Sequence, residues 1–378
     1  MKRTFFSFLC GWVIVVVFDF FTLAFSGDYK TVTGPCDFVF PRDHGAHSDF
    51  RTEWWYYTGT LSASSGKRYG FQLTFFRSQM AEPGSEKTWP KNPSAWRAKD
   101  LFFAHSALSD LETNRFSLDE RMARSGAGLA GVTHDKDATR IYLGNWSAII
   151  ESDEHRLKAP AKGFSLDLLC KALKPLTAHG LGGYSLKGNR PESASCYYSY
   201  TRLEAQGSIS FQGTPVPVRG TAWMDHEFSS APLEDDLEGW DWFSLQFEDQ
   251  TELMIYLLRQ KAGGNSASSG GTFVKASGEA IRLSQRDFQV EILDRWKSPR
   301  SGATYPSRWR IRVIPLNLEV SIIPNLSDQE LITEKSTRVT YWEGSVSVSG
   351  RSGQNPVSGI GYVEMTGYAK PFNLSPQP

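Results

Sequence analysis

Apolar and polar positions alternate with a period of two along most of the chain. The pattern is clearest over 53–61, 69–77, 101–108, 140–151, 197–203, 240–247, 252–259, 309–313, 318–323 and 341–348. Side chains two apart on a strand point the same way, so this pattern predicts strands with one buried face. Ser64-Ser65-Gly66-Lys67, Glu248-Asp249-Gln250 and Gly263-Gly264-Asn265 fall where hairpins would reverse. The expected fold class is all-β and antiparallel. A short helix is expected within 118–129, and 82–99, rich in Pro, Lys and Trp, reads as a long surface loop. The run Glu53-Trp54-Trp55-Tyr56-Tyr57, followed by an apolar strand ending at Arg77, is echoed by Gly239-Trp240-Asp241-Trp242-Phe243 and a strand ending at Arg259. The echo predicts two β-barrels or sandwiches in tandem, joined between Pro215 and Trp240, with the units placed at 27–225 and 226–378. Sheets this long usually close, because closure removes exposed edges.

The first 26 residues stand apart from this pattern. Lys2 and Arg3 precede an apolar run from Phe5 to Phe18, and Ala24-Phe25-Ser26 supplies small residues at the positions a signal peptidase reads. This predicts a signal peptide over 1–26 and a secreted or periplasmic protein. The alternative is an uncleaved membrane anchor, although Asp19 leaves the run short of the roughly 20 residues a span needs. Cys36, Cys170 and Cys196 follow the signal, an odd number. Export would permit one disulfide, and Cys170 with Cys196 is the pair closest in sequence, but spacing leaves the pairing open.

Charge and composition narrow the partners. The 378 residues carry 41 basic and 41 acidic side chains with no Lys/Arg tract, so neither nucleic acid nor anionic lipid finds a concentrated basic surface. Aromatics make up 13%, which excludes a coiled coil or a disordered chain. The GxSxG elbow, the P-loop, the Rossmann fingerprint, HExxH and zinc-type Cys/His spacings do not occur, which argues against serine hydrolysis, nucleotide use and zincin chemistry.

Candidate chemistry is concentrated in two segments. Arg42-Asp43-His44-Gly45-Ala46-His47 packs two imidazoles into a loop entering the first aromatic strand; His44 and His47 are candidate ligand-binding, metal or acid/base groups, or a loop that fixes the strand's start. Trp223-Met224-Asp225-His226-Glu227-Phe228 places three adjacent ionisable groups in an otherwise apolar segment, which is costly to bury without a reason. As a strand it would put Trp223, Asp225 and Glu227 on one face and Met224, His226 and Phe228 on the other. Two carboxyls one strand repeat apart raise each other's proton affinity and can supply a proton donor; a structural polar network between the units is the alternative. His105, a lone strand imidazole, is either catalytic or a satisfied core residue, and Glu53 is a similar case. Tyr197, Tyr198 and Tyr200 read as barrel wall.

The stretches Phe40-Pro41-Arg42-Asp43-His44-Gly45-Ala46-His47, Glu53-Trp54-Trp55-Tyr56, Phe103-Ala104-His105, Gly183-Tyr184-Ser185, Tyr198-Ser199-Tyr200-Thr201-Arg202, Trp223 to Phe228, Gly239 to Phe243 and Gly361 to Tyr368 follow one another as in a known family. The chain resembles the AttH-like and carotenoid 1,2-hydratase group of tandem lipocalin-like proteins, whose bacterial members are often labelled predicted secreted hydrolases. The resemblance implies two calycin-type barrels side by side. It also implies an apolar small-molecule ligand, isoprenoid or lipid, in an aromatic-lined cavity, with Trp55, Tyr57, Trp223, Trp242 and Tyr256 as wall. Hydratases of the group add water to a terminal carotenoid double bond without a cofactor, which carries Asp225 and His226 over as candidate catalytic residues beside Glu227 and His105 from the residue reading. In those hydratases an acidic residue follows shortly after the strand tyrosine, whereas Leu257 and Leu258 follow Tyr256 here; the chain looks closer to the AttH-like branch. A divalent metal held by His44, His47 and the Asp225 cluster is a further reading, and association with a membrane or an exporter system a further expectation. If the clusters satisfy one another, His44, His47, His105 and Asp225 should share one polar pocket in the first barrel.

Overall fold

The computed structural model describes residues 29–372. The first sheet is built from β1 (Thr52–Ala63), β2 (Arg68–Gln79), β3 (Asp100–Asp110), β4 (Arg115–Arg124), β5 (Ala130–Asp135), β6 (Ala138–Leu143) and β7 (Trp146–Glu151). It continues through β8 (Glu154–Ala161), β9 (Phe164–Ala172), β10 (Thr177–Ala178), β11 (Tyr184–Leu186), β12 (Ala194–Phe211) and β13 (Thr214–Ser229). The second sheet contains β14 (Leu237–Phe247), β15 (Glu252–Gln260), β16 (Gly270–Val274), β17 (Ala280–Ser284) and β18 (Phe288–Lys297). It is completed by β19 (Thr304–Val313), β20 (Leu318–Pro324), β21 (Glu330–Ile332), β22 (Thr340–Ser352) and β23 (Asn355–Met365). All pairings are antiparallel, and among the described residues helix is confined to 3-10 turns of three or four residues. The expected all-β class is what forms.

Both sheets repeat one plan. The first strand of each pairs with its last, β1 with β13 and β14 with β23, and the following strands add as successive hairpins. The echo between the two aromatic runs therefore reflects equivalent positions, β1–β2 and β14–β15. The first sheet curls into a nearly closed barrel. Its β4 edge is fastened across the barrel to β7 and β8 by Arg121, whose guanidinium donates to the Pro160 carbonyl at 3.0 Å and stacks over Trp146, and by the Asp119 carboxylate, which accepts from the Lys162 amide. The second sheet is a half-barrel around Phe243, Leu245, Ile255, Trp309, Ile311 and Trp342.

Both faces of β1, β2, β12 and β13 are covered. Trp55, Tyr57, Leu61, Phe71, Leu73 and Phe75 point into the barrel, while Tyr56 and Gln72 turn outward to meet the second unit. This is why aromatic residues run consecutively at 54–57: a strand buried on both sides has no polar face to alternate with. The outer wall packs on β14, β15, β22 and β23 through Tyr56, Tyr197, Trp223, Trp242, Tyr256 and Tyr362. Charged and polar bridges frame that junction: Arg202 donates to Glu252 at 2.6 Å and Gln246 donates to the carbonyls of Thr201 and Ala222.

Three expectations are corrected. The segment 118–129 is mostly strand β4, because its alternate residues pair across to β3 in register, Ala107 with Leu118 and His105 with Glu120; only Gly126–Gly128 turns as a 3-10 helix. The stretch 140–151 is a hairpin, not one strand, with Gly144 at positive φ between β6 and β7. The division at 225/226 would cut β13, which stays paired with β1 and β12 through Phe228, so the chain passes between sheets after Ser229. The signal-peptide segment lies outside the described residues.

The strap preceding β1 crosses the barrel end and is tied to β12 by a Cys36–Cys196 disulfide, leaving Cys170 a buried free thiol. Sequence proximity thus misleads, because the bond joins residues 160 apart. At the centre of the wall, β1 and β13 approach so closely that a Cβ on Gly220 would sit 1.9 Å from the Thr60 carbonyl oxygen. Gly220→Ala is expected to destabilise the chain by about 1–3 kcal/mol in denaturant unfolding, the usual cost of overpacking; an unchanged midpoint would show that the strands can part.

Candidate functional site

β13 is where local sequence becomes chemistry. Its alternation sends Met224, His226 and Phe228 into the barrel and Trp223, Asp225 and Glu227 toward the second unit, so adjacent ionisable residues serve separate sites.

On the barrel side, Glu53 of β1 is the hub. Its Oε1 lies 2.8 Å from His226 Nε2 and 2.7 Å from His47 Nδ1, and its Oε2 accepts from Arg77 Nε at 2.9 Å. Arg77, fully buried, also reaches Asp100 at 3.0 Å and the carbonyls of His47 and Phe50. Burial alone would raise the Glu53 carboxyl, but the Arg77 charge and the bonds to His226 and His47 outweigh it and hold the carboxyl well below its usual range. Tyr198 links His44 to His226, its hydroxyl lying 2.8 Å from His44 Nδ1 and 2.9 Å from His226 Nδ1. Burial pushes His44 down to about 3, so it stays neutral. The ligating atoms of His47, Glu53 and His226 lie within 4.8 Å of one another, the spacing of a metal site. Their geometry is nevertheless that of a finished hydrogen-bond network with Arg77 as the cation, and Asp225 and Glu227 face away from it. The metal reading that joined His44 and His47 to Asp225 is not supported by this placement. Trp55 and Tyr57 belong to the packed interior, where Trp55 donates to the His44 carbonyl and Tyr57 meets His155 at 2.9 Å.

The other face of β13 is different. Asp225 Oδ1 accepts from Trp223 Nε1 at 2.7 Å and from the Ser199 hydroxyl. Glu227 accepts from Ser195 and pairs with Lys187 at 2.6 Å. The second unit contributes Glu343 of β22, bonded by Gln72 at 2.5 Å, and Glu364 of β23, bonded by Trp240 at 3.3 Å. Trp242 donates to the Tyr197 hydroxyl at 3.1 Å, and Lys187 lies over the rings of Tyr197 and Tyr256. Burial pushes the Asp225 carboxyl up to about 7 against the bonds from Ser199, Trp223 and Tyr197 that pull it down. Glu364 is pushed up to about 7 mainly by burial, and Glu343 well above its ordinary value by burial and by Glu364. Tyr56 and Glu343 are buried in the layer and face one another across the junction. A cleft of about 50 Å³ lined by Tyr184, Leu186, Met254, Tyr256, Thr272 and Arg282 opens beside it.

The expected convergence is thus corrected. His44, His47 and His226 come together inside the barrel, whereas Asp225 and Glu227 stand in the junction. His105 does not join the other imidazoles: it sits at the far end of the junction, 2.8 Å from Tyr341 and 2.9 Å from Ser336, and burial pushes it down to about 3. It reaches the acidic layer only through Tyr341 and Gln72. Trp223, Trp242 and Tyr256 do share the layer with Asp225. The sequence reading missed Glu343, Glu364, Ser199, Lys187 and His179. Glu343 carried a signal, a carboxyl between Trp342 and Gly344 in an alternating strand; His179 carried none.

The profile of a family described as AttH-like matches residues 31–368. A solved candidate AttH from Nitrosomonas europaea is 34% identical, covers 88% of this chain and 98% of its own, and superposes with a TM-score of 0.77. Kievitone hydratase from Nectria haematococca shares the fold at 16% identity, a TM-score of 0.67 and coverage of 91% and 98%. CghA, solved with Sch210972, is more distant, at 12% identity, a TM-score of 0.51 and coverage of 91% and 97%. No curated protein matches the sequence.

Proposed function

The chain belongs to the AttH-like family, and on that premise we propose that it takes a long apolar ligand, isoprenoid or lipid, between its two units and protonates it from Asp225, in the manner of a cofactor-free hydro-lyase. One observation carries the reading: Asp225, Glu227, Glu343 and Glu364 meet in a buried aromatic layer with a single ammonium, Lys187. One cation cannot neutralise four carboxylates in a poorly solvating junction, so part of the set is held as neutral acid. A neutral carboxylic acid among rings is what protonation of a carbon–carbon double bond requires.

In the reaction so derived, the Asp225 proton passes to one alkene carbon and leaves a carbocation on the other. The rings of Trp223, Trp242 and Tyr256 face that charge, each contact contributing about 0.5–2 kcal/mol. Water adds to the cation and its surplus proton leaves to solvent, so alkene and water become an alcohol, Asp225 is left ionised, and the acid is restored by one proton taken back from solvent. The ligand site is placed in the junction rather than the barrel interior because the weak acids lie there and a cleft opens beside them, whereas the interior carries only its own core and the Glu53 network. Kievitone hydratase, a hydratase by name, has the same fold at low identity and supports the reaction class by analogy alone. The disulfide suits an exported protein.

The test uses intrinsic tryptophan fluorescence with added retinoids, carotenoids and fatty acids, followed by mass spectrometry of the same probes after incubation in D₂O. Quenching that weakens in Trp242→Phe, and deuterium uptake lost in Asp225→Asn, are the expected results. If no probe quenches and none gains deuterium, the proposal fails.

A further inference from the structure

A hydrogen-bonded chain leads from the acidic layer to the cleft beside it. The Ser199 hydroxyl bonds Asp225 Oδ1, His179 Nε2 lies 2.6 Å from Ser199 Oγ, and His179 Nδ1 lies 2.9 Å from Thr272 Oγ1. Ser199 and His179 are fully buried, and Thr272 nearly so, yet Thr272 also lines the 50 Å³ cleft with Tyr184, Tyr256 and Arg282. The chain crosses between the units, since Thr272 stands on β16 while the other three residues belong to the first unit.

The loop after β10 is built to hold this imidazole. The His179 amide donates to the Tyr197 carbonyl at 3.0 Å, its carbonyl accepts from Gly183 at 2.9 Å, and its ring lies 4.3 Å from that of Tyr197. Gly180 adopts φ +65°, and a Cβ there would meet the Tyr184 carbonyl oxygen at 2.0 Å, so the turn that aims His179 admits only glycine. None of the chemistry assigned so far uses this histidine.

Each link can donate and accept. A hydroxyl does both, and a neutral imidazole donates through one nitrogen while accepting at the other. The chain therefore has two self-consistent patterns of hydrogens. With Asp225 ionised, Thr272 donates to Nδ1, Nε2–H donates to Ser199, and Ser199 donates to the carboxylate. With Asp225 protonated, all three bonds reverse.

We propose that Ser199, His179 and Thr272 form a proton relay that reloads Asp225 from the cleft after each turnover. A hydronium in the cleft gives its proton to Thr272 Oγ1, the Thr272 proton moves to Nδ1, the Nε2 proton moves to Ser199, and the Ser199 proton moves to Oδ1. Four bonds to hydrogen break and four form; the carboxylate gains one proton and the imidazole ends neutral in its other tautomer. Burial, with Lys187 adding to it, pushes His179 down to about 3, so the relay runs through tautomers and not through imidazolium. The groups facing its two ends are Glu227 on the same strand, Tyr197 of β12, Tyr56 of β1, Glu343 of β22 and Glu364 of β23 around Asp225, and Lys187 and Tyr197 around His179. The relay rests on the reading of Asp225 as an acid, but it is open to a test that needs no substrate.

The measurement is nuclear magnetic resonance of the full chain carrying ¹⁵N-histidine and ¹³C-aspartate, between pH 5 and pH 9. His179 is expected as the Nε2–H tautomer at pH 9 and the Nδ1–H tautomer at pH 5, with the midpoint of the Asp225 carboxyl. Asp225→Asn should hold one tautomer throughout, and Ser199→Ala should leave Asp225 titrating while His179 no longer follows; Thr272→Val serves if the serine variant misfolds. A single His179 tautomer, or an imidazolium, while Asp225 titrates would overturn the relay and leave the acid standing. An Asp225 that does not titrate in this range would overturn the acid reading and the relay with it.

Discussion

An Asp225→Asn variant is expected to be more stable than the parent chain at pH 8, by about 3 kcal/mol, and nearly equal to it at pH 4. The sign follows from proton counting. Burial pushes the folded carboxyl up to about 7, against the 3.8 of an aspartate in the unfolded chain. Between those values the folded state binds the extra proton, so stability falls as pH rises, and the full penalty is present above about pH 7. The rise from 3.8 to about 7 converts to roughly 4 kcal/mol, an upper bound because the neighbouring carboxyls relax when one charge is removed. Asparagine keeps an Oδ1 for Trp223 and Ser199, so the substitution removes the ionisation with little change of shape. Urea unfolding at the two pH values measures the difference. A variant destabilised at pH 8 would mean that Asp225 is an ionised strut. The same substitution should remove the factor of about 10²–10⁴ that a positioned proton donor contributes.

Arg77→Met is the counterpart on the barrel side and is expected to destabilise by about 3–5 kcal/mol, because it strands Glu53 and Asp100 without their cation. Glu53 titrates below its unfolded value, so its contribution is present above about pH 4.5 and lost as pH falls through the folded value. Pairing the substitution with Glu53→Gln should recover much of the loss, since no uncompensated charge is then buried at Glu53. The double-mutant cycle is the check. A single-variant cost under about 1 kcal/mol would contradict the view that this network fastens the strap and β1 together.

The two sites separate what could be read along the chain from what could not. That Asp225 and His226 point opposite ways was legible, because a strand's side chains alternate whatever surrounds them. So was the aromatic character of the junction, carried by Trp223, Trp242 and Tyr256. The partners were not. Glu343 and Glu364 lie more than a hundred residues after Asp225, and although Glu343 stands out beside Trp342, nothing local says that either carboxyl faces Asp225. His105 on an aromatic strand and His44 in a polar loop give no local sign of their partners, yet one bonds the second unit and the other the barrel interior.

Most strands, the doubled plan and the face each side chain takes were legible along the chain, since these depend on backbone geometry and on polarity repeating every second residue. Which faces meet was settled by packing across the whole chain. Pairing β1 with β13, packing that wall on β22 and β23, and drawing the strap in through Cys36 are long-range choices of register and burial. They turn Glu53 into a fixed anion and Asp225 into a weak acid. A carboxyl's proton affinity is set by the water it loses and the charges it gains, and both arrive from strands that the local sequence does not specify.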